Sequence, residues 1–179
     1  MPDVRLVLLH RDALEALVRG DDAAAAAAVG LPVPGPVMAD TWLWNYRLQQ
    51  LVADPACAPW LVRLVVAQPD GQDEVIVGHA GFHGPPDARG MVEIGYSVLP
   101  EYRRRGLARA AVAELFAFAV RHGATTVRAS VSPGNTPSLR LIASYDFVQV
   151  GEQMDEIDGR ELVFERPLPE PASEIHEPR

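Results

Sequence analysis

The densest basic cluster in the sequence is Arg103-Arg104-Arg105-Gly106-Leu107-Ala108-Arg109, and the chemistry its composition suits is anion binding. It follows a strand-like segment ending at Val98. From Leu107 onward, Leu107, Ala111, Leu115 and Phe118 recur at helical spacing, with Gly123 as a stop, so the cluster falls at the start of a helix over 107–122. The first amides of a helix lack intrahelical acceptors and carry the positive end of its dipole. A phosphate placed there takes several hydrogen bonds at once. Gly106 removes a side chain where a ligand must approach the backbone, and Ala108 keeps the next turn small. The same residues also suit a basic helix start exposed to water.

Two further groups could do chemistry. In Val92-Glu93-Ile94-Gly95-Tyr96-Ser97-Val98, a period of two puts Val92, Ile94, Tyr96 and Val98 on one face and Glu93, Gly95 and Ser97 on the other. One face is core and the other is small and polar. Downstream, Asn135 reads as the cap of a short helix to Ser144, with Ser138 at its third position. His79 and His83 invite a metal reading, but on one strand they stand about 13 Å apart and cannot share an ion, so no metal is expected. No Gly-x-Ser-x-Gly elbow occurs, and the lone Cys57 reads as a small core residue.

The elements that must position these groups are legible from periodicity and turn residues. Val4–Leu9 reads as a strand, Asp12–Val18 as a helix, Ala23–Ala28 as a helix segment ended by Gly30 and the prolines at 32, 34 and 36, and Thr41–Val52 as a further helix. The apolar runs Trp60–Ala67 and Glu74–Phe82, joined by Gln68-Pro69-Asp70-Gly71, read as a hairpin. Val127–Val131, Phe147–Glu152 and Glu161–Glu165 read as strands. The order is mixed α/β in one domain over 1–166. A Pro- and Glu-rich flexible tail is expected over 167–179.

A net charge of -8 argues against nucleic acid and anionic membrane as partners. The start Met1-Pro2-Asp3, the lack of a long apolar run and the single cysteine fit a cytoplasmic protein.

The spacing Arg103, Gly106, Ala108 resembles the CoA-pyrophosphate motif of the GNAT superfamily of N-acetyltransferases. The preceding Val92–Pro100 segment and the downstream Asn135-Thr136-Pro137-Ser138 followed by Asp146-Phe147 match the same family in order. Leu14-Glu15-Ala16-Leu17 and Leu31-Pro32 resemble the branch of ribosomal-protein N-terminal acetyltransferases, the RimJ/RimL-like enzymes, and the resemblance spans most of residues 4–166.

It implies a mostly antiparallel sheet of about six to seven strands flanked by about four helices. It also implies acetyl-CoA as acyl donor, with the amides from Arg104 to Arg109 holding the pyrophosphate and Val98 pairing with the pantetheine between two splayed strands. Glu93 would accept the proton of the amine, and a backbone amide near Ser97 or Val98 would hold the oxyanion. Many members carry a tyrosine seven positions after the asparagine, where this chain has Ile142. Ser138 matches the branch with serine beside the thiolate, and Asp146 replaces a glycine expected at a left-handed turn. The implied acceptor is a small-molecule amine or a protein N-terminus, and homodimers are common in the family. An acyl-CoA-binding regulatory module without transferase activity is the alternative.

Overall fold

Apolar alternation and turn chemistry resolve into seven strands and six α-helices in the computed structural model, which describes residues 2–71, 73–157 and 159–170. The strands are β1 (Val4–Leu8), β2 (Arg63–Ala67), β3 (Val75–Phe82), β4 (Met91–Val98), β5 (Thr126–Val131), β6 (Val148–Asp155) and β7 (Gly159–Pro167). Their order in the sheet is β1-β2-β3-β4-β5-β7-β6. Among the described residues only β4 and β5 run parallel, as expected of a mostly antiparallel sheet. The helices are α1 (Arg11–Arg19), α2 (Asp22–Val29), α3 (Gly35–Met38), α4 (Thr41–Ala53), α5 (Leu107–Arg121) and α6 (Thr136–Ala143). The chain divides into two compact units, Met1–Pro85 with Ile94–Leu115 and Pro86–Glu93 with Phe116–Arg179.

In the first unit β1, β2, β3 and the second half of β4 pair antiparallel, and every residue of β2 is buried. Leu14 and Leu17 of α1, Trp44 and Leu51 of α4, and Leu64, Val66 and Ile76 of the strands form one apolar cluster. Trp44 is fully buried, and its indole N–H donates to the Val37 carbonyl at 2.7 Å, so the largest core side chain leaves no donor unsatisfied.

Trp60 lies outside β2. Pro55 and Pro59 lack the amides a ladder needs, and Asp54 caps the amide of Ala56, so Pro55–Trp60 forms a 3-10 turn and the strand starts at Arg63. A bulge in the β2–β3 ladder falls between Val65 and Val66, opposite the segment from Ile76 to Gly78. There Gly78 approaches β4 so closely that a Cβ would sit 2.0 Å from the Ser97 carbonyl oxygen.

In the second unit Met91–Glu93 pair with Thr126–Arg128, and β5, β7 and β6 continue antiparallel. Phe116 packs edge-on to Tyr145 at 5.1 Å, so Tyr145 serves packing. Asp146 takes φ +57°, the left-handed turn expected where the family places glycine. β7 runs on to Pro167, and the amide of Leu168 donates to the Thr125 carbonyl at 2.8 Å, so these two residues, expected in the tail, are tied to the sheet. Its residues 171–179 lie outside the described residues. Among the described residues no helix is long and apolar enough to cross a membrane.

Gly78→Ala should destabilise the protein by about 1–3 kcal/mol, since the backbone atom it meets cannot swing aside. Chemical denaturation with an unchanged m-value checks this, and an unaltered midpoint would contradict the close approach.

Candidate active site

β4 ends on Val98 and the chain turns through Pro100–Tyr102 into α5. Three features shape this turn. The Arg103 side chain folds back, its Nε donating to the Val98 carbonyl at 2.9 Å, which ties the loop to the strand end. Arg104 and Gly106 both take left-handed φ, +62° and +78°. Only glycine adopts that conformation freely, so Arg104 holds backbone strain of the kind that collects at ligand-binding turns. Gly106 then accepts the first helical bond from Ala110 at 3.0 Å, which makes it the cap and leaves Leu107, Ala108 and Arg109 as the amides at the positive end of α5.

Leu107 is buried and anchors the helix start. Arg103, Arg104, Arg105 and Arg109 are exposed, with the Arg105 guanidinium 5.8 Å from the Tyr102 ring. A cavity of about 550 Å³ opens beside this turn, lined by Arg105 and Leu107 with Asp3, Arg5, Gln68 and Glu74. An oxygen-rich dianion fits such an array of amides and guanidinium groups.

In the first unit the polar face of β4 receives two histidines. His79 pairs across the strands with Ser97, which places both side chains on one face, and the His83 ring comes within 3.2 Å of where a Cβ on Gly95 would stand. His79 lies 3.7 Å from Asp40 and edge-on to Trp44. Burial lowers its pKa, Asp40 opposes and Arg47 reinforces that shift, so the imidazole stays neutral at neutral pH. Among the described residues no group of three His, Cys, Asp or Glu could hold a metal.

In the second unit Glu93 has a partner that sequence reasoning missed. The Ser130 hydroxyl donates to Glu93 Oε1 at 2.6 Å, and Ser130 Oγ accepts from Gln153 Nε2 at 3.1 Å. Gln153 also donates to Glu161 at 3.0 Å. The available signal was the alternation of Thr126, Arg128 and Ser130 with Val127, Ala129 and Val131 on β5, since Glu93 is in register with Arg128. Asn135 caps α6 through its side-chain Oδ1, which accepts from the Ser138 amide at 3.2 Å. Ile142, standing where many relatives place tyrosine, is buried.

The structure thus brings Val98 and Arg103–Arg109 together in one unit, and in the other joins Glu93 to Ser130 and Asn135 to Ser138.

Residues 4–148 match the family model described as acetyltransferase (GNAT) domain. No curated protein matches the chain. Among solved structures, yncA from Salmonella typhimurium, determined with its cofactor acetyl-CoA, is 19% identical with a TM-score of 0.59, covering 95% of this chain and 96% of its own. Ribosomal-protein-alanine N-acetyltransferase from Brucella melitensis is 22% identical with a TM-score of 0.56, covering 93% and 99%. Ribosomal-protein-S5-alanine acetyltransferase from Vibrio fischeri is 19% identical with a TM-score of 0.60, covering 92% and 91%. With the family model spanning most of the sequence and the strand order and α5 turn in place, the chain belongs to the GNAT acetyltransferase family.

Proposed function

We propose that the protein transfers acetyl from acetyl-CoA to a primary amine that attacks the thioester directly in a ternary complex. The observation that carries this reading is the Arg103–Arg109 turn, where a helix start, two left-handed residues and exposed guanidinium groups converge in an otherwise acidic chain. The amides from Arg104 to Arg109 suit a diphosphate, and the strand end at Val98 suits a pantetheine amide as a further pairing partner. When bound, acetyl-CoA supplies the activated acyl group.

Each remaining need of the reaction has a candidate in the chain. An amine attacks only when neutral, and Glu93 takes its proton directly or through a water. The hydrogen bond from Ser130 holds one oxygen of that carboxylate, which fixes the direction in which the other projects. Ser138, at the third position of α6, is the hydroxyl assigned to the departing sulfur. Asn135 organises that helix start and joins the cofactor contacts. A backbone amide near Ser97 or Val98 receives the negative charge that develops on the carbonyl oxygen. The acceptor is a small-molecule amine or a protein N-terminus. Structural neighbours that act on ribosomal-protein alanine support the second, and the polar face of β4 suits either.

Acetyl-CoA should raise the melting temperature saturably, because ligand at about 100 times its Kd adds roughly 2.7 kcal/mol. A folded Gly106→Glu variant should lose the shift, and no rise at millimolar acetyl-CoA would remove the cofactor assignment.

Glu93→Gln should keep that thermal shift but lower kcat by about 10²- to 10⁴-fold, with Ser130→Ala lowering it less. Stopped-assay detection of free CoA checks both, and an unchanged kcat in Glu93→Gln would take the base role from this residue. Saturable binding with no turnover on any amine would favour the regulatory module instead.

A further inference from the structure

Arg47 is the buried charge for which neither the fold nor the proposed chemistry accounts. It lies in α4 and is only 6% exposed. One of its terminal nitrogens donates to Gln50 Oε1 at 2.8 Å and to the His83 carbonyl at 3.3 Å, both neutral acceptors. Its guanidinium carbon lies 5.3 Å from the Tyr46 ring. No carboxylate among the described residues stands within ion-pair distance of it. Burial pulls its pKa down, the direction expected of a cation without a counter-ion.

The unused part of this guanidinium is specific. Nε is buried and without a hydrogen-bond partner, and Nη2 has no bonded acceptor among the described residues. These two nitrogens share the edge by which arginine meets a carboxylate in two parallel bonds. The protein uses that edge elsewhere: Arg5 gives Nε and Nη2 to the two oxygens of Glu74 at 3.2 and 2.7 Å. In Arg47 the same edge has no anion.

Its surroundings connect it to the acceptor face. Gln50 donates to the His83 carbonyl at 2.9 Å alongside Arg47, so α4 holds His83 in place, and the His83 ring stands over Gly95 on the polar face of β4. Beside Arg47, Tyr46 stacks parallel on Trp42 at 5.4 Å, with the two residues 43% and 57% exposed, which offers a flat apolar surface next to the cation.

We propose that Arg47 anchors a carboxylate carried by the acceptor, so that the preferred substrates are amino acids, small molecules that hold a primary amine and a carboxylate together. This rests on the transfer reading above and names the class of substrate for it.

The test uses the whole chain and a panel of L-amino acids, aromatic ones included, each paired with its carboxamide. Free CoA release gives kcat/KM, and calorimetric titration of N-acetyl amino acids and N-acetyl amino amides into CoA-saturated protein gives binding without turnover. The acids should exceed their amides by about tenfold or more, chiefly through KM. Arg47→Gln should abolish that preference while leaving amide turnover in place, and Arg47→Lys should retain part of it. Equal or better turnover of the amides across the panel overturns the proposal, and this wild-type comparison decides even where a variant fails to fold. If acetyl-CoA binds but nothing on the panel turns over, the transfer reading is decided by other amines and the titration decides the anchor. Tighter binding of the N-acetyl acids upholds it, and equal or absent binding overturns it.

Discussion

The alternation of β4 constrains everything around it. Because successive side chains leave a strand on opposite sides, Val92, Ile94 and Val98 can be buried only if Glu93, Gly95 and Ser97 face the other way. The second face is therefore assembled from what the neighbours bring. Cross-strand pairing in the first unit brings His79 beside Ser97, and the absent side chain at Gly95 leaves room for His83. The registered pairing of β4 with β5 ends at Glu93 and Arg128, and Ser130 lies one alternation further along β5, within reach of the Glu93 carboxylate. A charged or bulky residue at 95 or 97 would still leave the apolar side buried but would crowd out His83 and His79.

Charge is distributed on a similar principle. The chain is acidic overall, yet three consecutive arginines precede the start of α5, where the helix dipole adds positive potential of its own. Arg104 is held at positive φ, an arrangement an isolated peptide avoids by roughly 1–2 kcal/mol. The anchors for it are the buried Leu107 on one side and the Arg103 to Val98 hydrogen bond on the other. Strain kept between two fixed points holds these amides in one arrangement without any ligand to organise them.

Much of this could be read before any coordinates, because it depends on local chemistry. The capping of α6 by Asn135, the faces of β4 and the glycine that starts α5 are each decided by a residue and its near neighbours, while the left-handed turn at Asp146 was implied only by the family resemblance. What escaped the sequence depends on contacts between distant positions. Ser130 and Glu93 are 37 residues apart, and Arg47 and His83 are 36 apart, and nothing in either local pattern marks them as partners. The extended β6 and β7 were underestimated for a related reason. β6 is almost wholly exposed, so no apolar period delimits it, and its length is set by pairing with β7. Trp60 was assigned to a strand on hydrophobicity, where the prolines on either side of Cys57 decide for a turn.

The two buried arginines of the first unit show why burial alone does not identify a ligand site. Arg63, 5% exposed, gives its terminal nitrogens to the carbonyls of Leu61 and Pro59 and lies 5.8 Å from the Phe82 ring. Those carbonyls belong to the end of the 3-10 turn, where the backbone needs donors, so this guanidinium closes the turn onto β2 and is a structural group. Desolvation takes its pKa down to about 10, and it remains charged under physiological conditions. Arg47 is desolvated as well, but its bonds go to a side-chain amide and one loop carbonyl, and the edge best suited to an anion is left over. A buried cation kept for packing alone could be an apolar residue of similar volume at little cost or at a gain. Retaining a guanidinium with that edge unpaired is the arrangement expected of a group whose partner arrives from outside the chain.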